Sequence, residues 1–209
     1  MNLYLQNLIE EGEHQQLDFK FAITDSRKIA RSLVAFANTD GGKLLIGVKD
    51  NGAIAGVRSD EEYYMVQAAA QMYSRPEIEF QSKIWEIYEK NILEIYIPKS
   101  KQRPHYAQDD ERKWKVYIRV NDQNILANNI LLKVWEKQNR KSGIHVRYTE
   151  KEKILLSFLE KNNTITLSKF CRIAYISRKK AERILIDLIL LDIIKIIFTE
   201  KNVYYELKA

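Results

Sequence analysis

The sequence predicts an α+β chain of two domains, a mixed domain with hairpins over residues 1–140 and a small helical domain closed by a hairpin over 141–209. Three observations lead there. In the first region a helical period of apolar residues gives way to short apolar strands separated by turn signals. The segment QNRKSGIHVRYTE (138–150) is polar, basic and carries a glycine, the composition of a boundary. Beyond it, three helical stripes precede two strands.

Taken in order, Asp25 or Ser26 is expected to cap a helix through RKIARSLVAFAN, with Ala30, Leu33, Val34 and Ala37 on one face. Gly41-Gly42 stop that helix, and KLLIGV (43–48) reads as a short, fully apolar strand. Asn51-Gly52 is a strong hairpin signal, with AIAGV (53–57) as the return strand. Ser59 and Glu62 form a capping box before a helix over about 60–74, which ends ahead of Pro76. IEFQSKIWEIY and ILEIYIP alternate and read as a hairpin about Glu89-Lys90-Asn91, WKVYIRV (114–120) as a further strand, and NILLKVWEK (129–137) as a helix. In the second region Thr149 caps EKEKILLSFLEKN, Thr166-Leu167-Ser168 opens a short helix, and SRKKAERILIDLILLD (177–192) forms a longer one. Two strands flank Glu200-Lys201-Asn202. Helix, short helix, long helix and hairpin is the order of a winged helix-turn-helix.

Charge and composition narrow the function. The net charge is +6, but residues 1–143 hold 21 Lys/Arg against 20 Asp/Glu, while 144–209 hold 13 against 8. The basic excess lies in the last third and points to a nucleic-acid partner there, against the plainer reading of a solubilising surface. A single cysteine, Cys171, excludes a disulfide framework, and His14, His105 and His145 lack the paired spacing of a zinc site. MNLYLQNLIEEGE meets acid too early for a signal peptide, and the apolar run 184–198 is interrupted by Asp187, Asp192 and Lys195. A soluble, cytoplasmic protein with no membrane partner is expected. No G-x-x-x-x-G-K-[ST] occurs, so no ATP site is recognised.

Glu13, LDFK (17–20), VAFANTDGGKLLIGVKDNGAIAGV (34–57), RPHY (103–106) and VYIRV (116–120), in that order and spacing, resemble the AlbA-like domain of the Schlafen family, which bacterial DNA-binding or transcriptional regulators also carry. The resemblance covers about residues 5–140. It departs from the family pattern where Asp18 replaces a glutamate and where Asn121 follows Arg119-Val120. In the nuclease branch of that family, three acids at the positions of Glu13, Asp18 and Asp50 bind a divalent metal for phosphodiester cleavage. The resemblance therefore implies a Mg²⁺ or Mn²⁺ site at these residues, hard oxygen ligands suiting such an ion. Asp18 and Lys20, two apart on a strand, point to one face, so a lysine stands where it could offset developing charge. The plain reading competes: Asp50 in Asp-Asn-Gly is a turn former.

Arg119 in the arginine strand is expected to touch nucleic acid. In the second region the helix that would enter the major groove carries Arg178, Lys179, Lys180 and Arg183, with Ser177 as its cap, and Lys201 sits on the wing. The expected function is a DNA-binding transcriptional regulator that needs no cofactor for binding, with structured RNA as another partner and homo-oligomers open. The alternative is a metal-dependent nuclease of Schlafen type, and a third class is a pure interaction module.

Overall fold

Helix α2 (Ser26–Asn38) organises the first part of the chain. Asp25 accepts the Arg27 N–H at 2.8 Å as its N-cap, as expected. Leu33, Val34 and Phe36 are fully buried against α3 (Glu61–Gln71), and α2 also packs on β8 (Tyr117–Val120). Truncating Phe36 to alanine would cost about 3–5 kcal/mol. The helix must then reverse into β2 (Gly42–Ile46). Gly41 takes φ +73°, and a Cβ on Gly42 would lie 2.4 Å from the Phe36 ring and 2.9 Å from the Gln16 carbonyl, so the reversal needs both glycines.

The computed structural model describes residues 3–57, 59–140 and 148–208. It separates into two compact units, Met1–Leu126 and Ala127–Ala209. In the first, a four-stranded sheet has the order β1-β2-β5-β4, with β1 spanning Leu17–Lys20, β4 Gln81–Ile87 and β5 Lys90–Ile97. β1 runs parallel to β2, pairing Asp18 with Leu44, and the other neighbours are antiparallel. One face carries Leu44, Ile46, Leu93, Ile95 and Ile97 into the α2–α3 core. The other carries Leu17, Phe19, Leu45 and Ile92 into a second cluster beneath Leu5 and Leu8 of α1 (Leu3–Glu11). Alternation thus sends Asp18 and Lys20 to the α2 face.

Two smaller sheets complete the unit. β3 (Ser74–Arg75), β6 (Tyr106–Gln108) and β7 (Trp114–Lys115) form one, and β8 with β9 (Gln123–Leu126) forms the other. Asn38 ties them to α2: its amide donates to the His105 and Tyr117 carbonyls, both at 2.9 Å, and accepts the His105 N–H at 2.8 Å.

Several expectations are corrected. The 53–57 return strand reduces to one bridge, Val48↔Ile54, because both edges of β2 are already taken by β1 and β5. The Asn51-Gly52 turn itself forms, with Gly52 at φ +79° and its N–H on the Lys49 carbonyl. The 114–120 strand breaks at Val116 into β7 and β8, which pair in different sheets. No capping box precedes α3: Asp60 occupies the N-cap position, and Ser59 Oγ accepts from Glu61 N–H. Helix α1 (Leu3–Glu11) is not among the elements expected from the sequence.

The second unit begins with α4 (Asn129–Asn139), whose Ile130 and Val134 are buried with α7 (Arg178–Leu190) in one core. The division between units therefore falls at Leu126/Ala127, ahead of the polar 138–150 segment, of which residues 141–147 lie outside the described residues. α5 (Glu150–Asn162) starts with the capping box of Thr149 and Glu152, and α6 (Leu167–Ala174) is capped by Thr166. β10 (Thr164–Ile165), β12 (Val203–Leu207) and β11 (Ile194–Phe198) form an antiparallel sheet in that order. Among the described residues no helix is long and apolar enough to cross a membrane.

Candidate functional site

Two groups of predicted residues are brought together, one in each unit. In the first, β1 is an edge strand, and the N–H of Phe19 is taken by Glu13 Oε1 at 2.8 Å. Lys20 Nζ stands 3.0 Å from Asp18 Oδ2 and 4.0 Å from Glu13 Oε1, and donates to the Phe19 carbonyl at 2.7 Å. The other Asp18 oxygen receives Arg119 Nη2 at 3.3 Å. That guanidinium also reaches the Leu17 and His14 carbonyls and Asn124 Oδ1, with Phe36 5.1 Å beneath it. Asn124 donates to Ser32 Oγ, and Ser32 returns to Asp18 Oδ2, closing a ring of polar side chains.

Electrostatics separates the two carboxyls. Burial would raise the Asp18 pKa, but its hydrogen bond with Glu13 and the charges of Lys20 and Arg119 outweigh it and hold Asp18 below its ordinary value. Glu13 moves the other way, raised by burial and by Asp18 and only partly offset by the Phe19 N–H. Of the two, Glu13 is therefore the readier to take up a proton as pH falls, and Asp18, facing two cations, holds its charge longer.

Asp50 does not join them. It sits exposed in the turn before Gly52, and among the described residues no three His, Cys, Asp or Glu side chains gather closely enough to hold one ion. The donor set does not fit a divalent metal: Asp18 is committed to Arg119, Ser32 and Lys20, Glu13 holds a backbone N–H, and an ammonium occupies the space a shared cation would need. The expected Glu13–Asp18–Asp50 ligand set is therefore not assembled, and Lys20 acts as internal counter-ion. Arg119 is corrected as well. It is 2% exposed and its N–H is held by Thr39 and its carbonyl by Gln15, so its fork is spent inside the fold rather than offered to a phosphate.

The family resemblance gains its physical meaning here, since Asp18, Asn38, Thr39, His105 and Arg119 tie elements together across the interior. Residues 13–128 match the family described as Schlafen, AlbA_2. The chain belongs to this family. Among solved structures it is similar to the DIP2311 protein of Corynebacterium diphtheriae, with TM-score 0.44 and 22% identity over 62% of this chain and 24% of that one. It is similar also to the N-terminal domain of a RecG-related protein from Nitrosomonas europaea, with TM-score 0.40 and 20% identity over 59% of this chain and 94% of that one. The chain thus spans about a quarter of the first of these. No curated protein matches the sequence.

The second candidate site is on α7. Ser177 caps it, accepting the Lys180 N–H, and Tyr175 before it is 92% exposed in a left-handed turn at φ +49°. Ala181, Ile184, Leu185 and Leu188 are buried, which leaves Arg178, Lys179, Lys180 and Arg183 in solvent. Arg178 pairs with Glu182 at 3.0 Å and Arg183 with Asp187 at 3.9 Å, each one turn along the helix. Among the described residues Lys179 and Lys180 have no ion-pair partner. Lys201 is exposed in the β11–β12 turn, which Thr199 and Asn202 hold by mutual hydrogen bonds. Sequence reasoning missed Gln15, Ser32, Thr39 and Asn124, whose roles depend on partners 80–106 positions away.

Proposed function

We propose that this Schlafen-family chain is an intracellular DNA-binding regulator that reads duplex DNA with α7, in a winged helix-turn-helix formed by α5, α6, α7 and the β11–β12 hairpin. The observation that carries the reading is the solvent exposure of four cations on the first turns of α7, above a buried apolar face. The capped N-terminus supplies unpaired backbone N–H groups at the same end, which suits a phosphate. In the pairs to Glu182 and Asp187 the arginines stay 75% and 80% exposed, and such pairs are worth about 0–1 kcal/mol each, so a phosphate displaces them readily. Lys201 on the hairpin turn adds a contact to the neighbouring backbone. Family membership associates the chain with nucleic acids in general, in keeping with this reading.

Among the described residues the acidic triad of the nuclease alternative is not gathered, and Asp18 is already paired with Lys20 and Arg119. The test is incubation of the full chain with labelled duplex DNA and with structured RNA, in Mn²⁺ or in EDTA, scoring retention and cleavage. Retention of duplex DNA in both media without cleavage is expected. Mn²⁺-dependent cleavage, or failure to retain duplex DNA, overturns the proposal.

A further inference from the structure

Strand β4 is the outer strand of the four-stranded sheet. Its turn to β5 has two residues, Tyr88 and Glu89, both in the left-handed region at φ +50° and +60°. Such a turn closes on a hydrogen-bonded pair, here Ile87↔Lys90, so the odd-numbered residues of β4 aim their backbone groups at β5. Ser82, Ile84 and Glu86 aim theirs outward, and all three are exposed. Their side chains share the face that carries a cleft of about 400 Å³ lined by Tyr63, Tyr64, Ser82, Ile84 and Leu93. Ile84 is 58% and Tyr64 63% exposed. A projecting lysine commonly guards such an edge. Lys83 does not project, because its ammonium lies 3.6 Å from the centroid of the Trp85 ring.

We propose that a second copy of this chain pairs with this edge, β4 against β4, antiparallel about a two-fold axis at Ile84. Symmetry sets the register. A two-fold axis normal to the sheet keeps each face on its own side, so even residues oppose even residues. Centring on Ile84 is the register in which all three outward residues find partners, each pair exchanging both N–H···O bonds. Ile84 meets its own twin, Ser82 meets Glu86 with a hydroxyl facing a carboxylate, and Lys83 meets Trp85 on the opposite face. No like charges oppose one another. The ammonium–ring contact already made within the chain becomes available across the pair. The two Ile84 side chains, flanked by Tyr64, extend the apolar floor of the cleft. This self-complementarity selects a second copy over an unrelated extended peptide.

Sedimentation velocity of the full chain over a concentration series is expected to show a reversible rise to twice the chain mass. Ile84→Lys places like charges on the axis and should weaken the dimer at least about tenfold, a change of roughly 1.4 kcal/mol. Its circular dichroism should match the wild type, since that side chain is exposed. The register is tested by oxidation in a Cys171→Ser background. Ile84→Cys is expected to cross-link, its twin Cα lying about 5.5 Å away. Ser82→Cys, about 14 Å from its twin, is not. A wild type that stays monomeric throughout, an Ile84→Lys variant that dimerises unchanged, or equal cross-linking of the two cysteine variants overturns the proposal.

Discussion

Replacing Asp18 by asparagine keeps the shape of the side chain and removes the one negative charge that faces Arg119 inside the first unit. Arg119 is almost wholly buried, and after the change its guanidinium retains only neutral acceptors, the Leu17 and His14 carbonyls and Asn124 Oδ1. Breaking a buried ion pair from one side costs about 3–5 kcal/mol. For a unit of this size that corresponds to a fall in melting temperature of roughly 10–20 °C. Arg119→Met should cost less, because Asp18 keeps Lys20 at 3.0 Å as a half-exposed counter-charge. The double variant should be less destabilised than the sum of the two single ones by about 2 kcal/mol, since neither charge is then left alone. Urea unfolding of the four proteins, followed by circular dichroism, measures this cycle. Additive effects, or an Asp18→Asn variant within about 0.5 kcal/mol of wild type, would refute the assignment of Asp18 and Arg119 to the scaffold.

Glu13→Gln keeps the acceptor for the Phe19 N–H and gives Asp18 a permanent donor in place of a proton. Because Glu13 is raised in the folded state, its contribution is full below its unfolded pKa and is lost as pH rises through the folded value; the variant should match wild type near pH 4 and equal or exceed it in urea midpoint near pH 8. Asp18, being depressed, contributes above its unfolded pKa and loses that contribution as pH falls through the folded value, so Asp18→Asn should differ most from wild type at neutral pH and progressively less under strong acid. Asp50→Asn lies in an exposed turn and should change stability by about 0.5 kcal/mol or less and leave nucleic-acid retention intact; loss of a Mn²⁺-dependent cleavage in that variant would instead place Asp50 in a metal centre.

What could be read from the sequence was local. The caps at Asp25, Thr149, Thr166 and Ser177, the turn at Asn51-Gly52 and the exposed basic start of α7 each depend on residues within about a turn of one another, and each is found. The period-two alternation also placed Asp18 and Lys20 on one face. What failed depended on tertiary neighbours. The 53–57 segment has good strand chemistry, yet β2 had no free edge to give it. Arg119 looked like a phosphate ligand because nothing nearby in sequence shows that Asp18, Thr39 and Gln15 enclose it. The acids at 13 and 18 converge through a short connection, whereas Asp50 follows β2 out to a solvent-exposed turn.

The most direct test of the DNA-binding account is the salt dependence of duplex binding by wild type and by the Lys179→Ala, Lys180→Ala, Arg183→Ala triple variant, measured by fluorescence anisotropy. Each lost phosphate contact removes nearly one unit from the slope of log affinity against log salt. The account predicts that the variant loses a slope of roughly 2–3 and binds far more weakly at moderate salt, with its melting temperature nearly unchanged because the three side chains are exposed. An unaltered slope and affinity would contradict it.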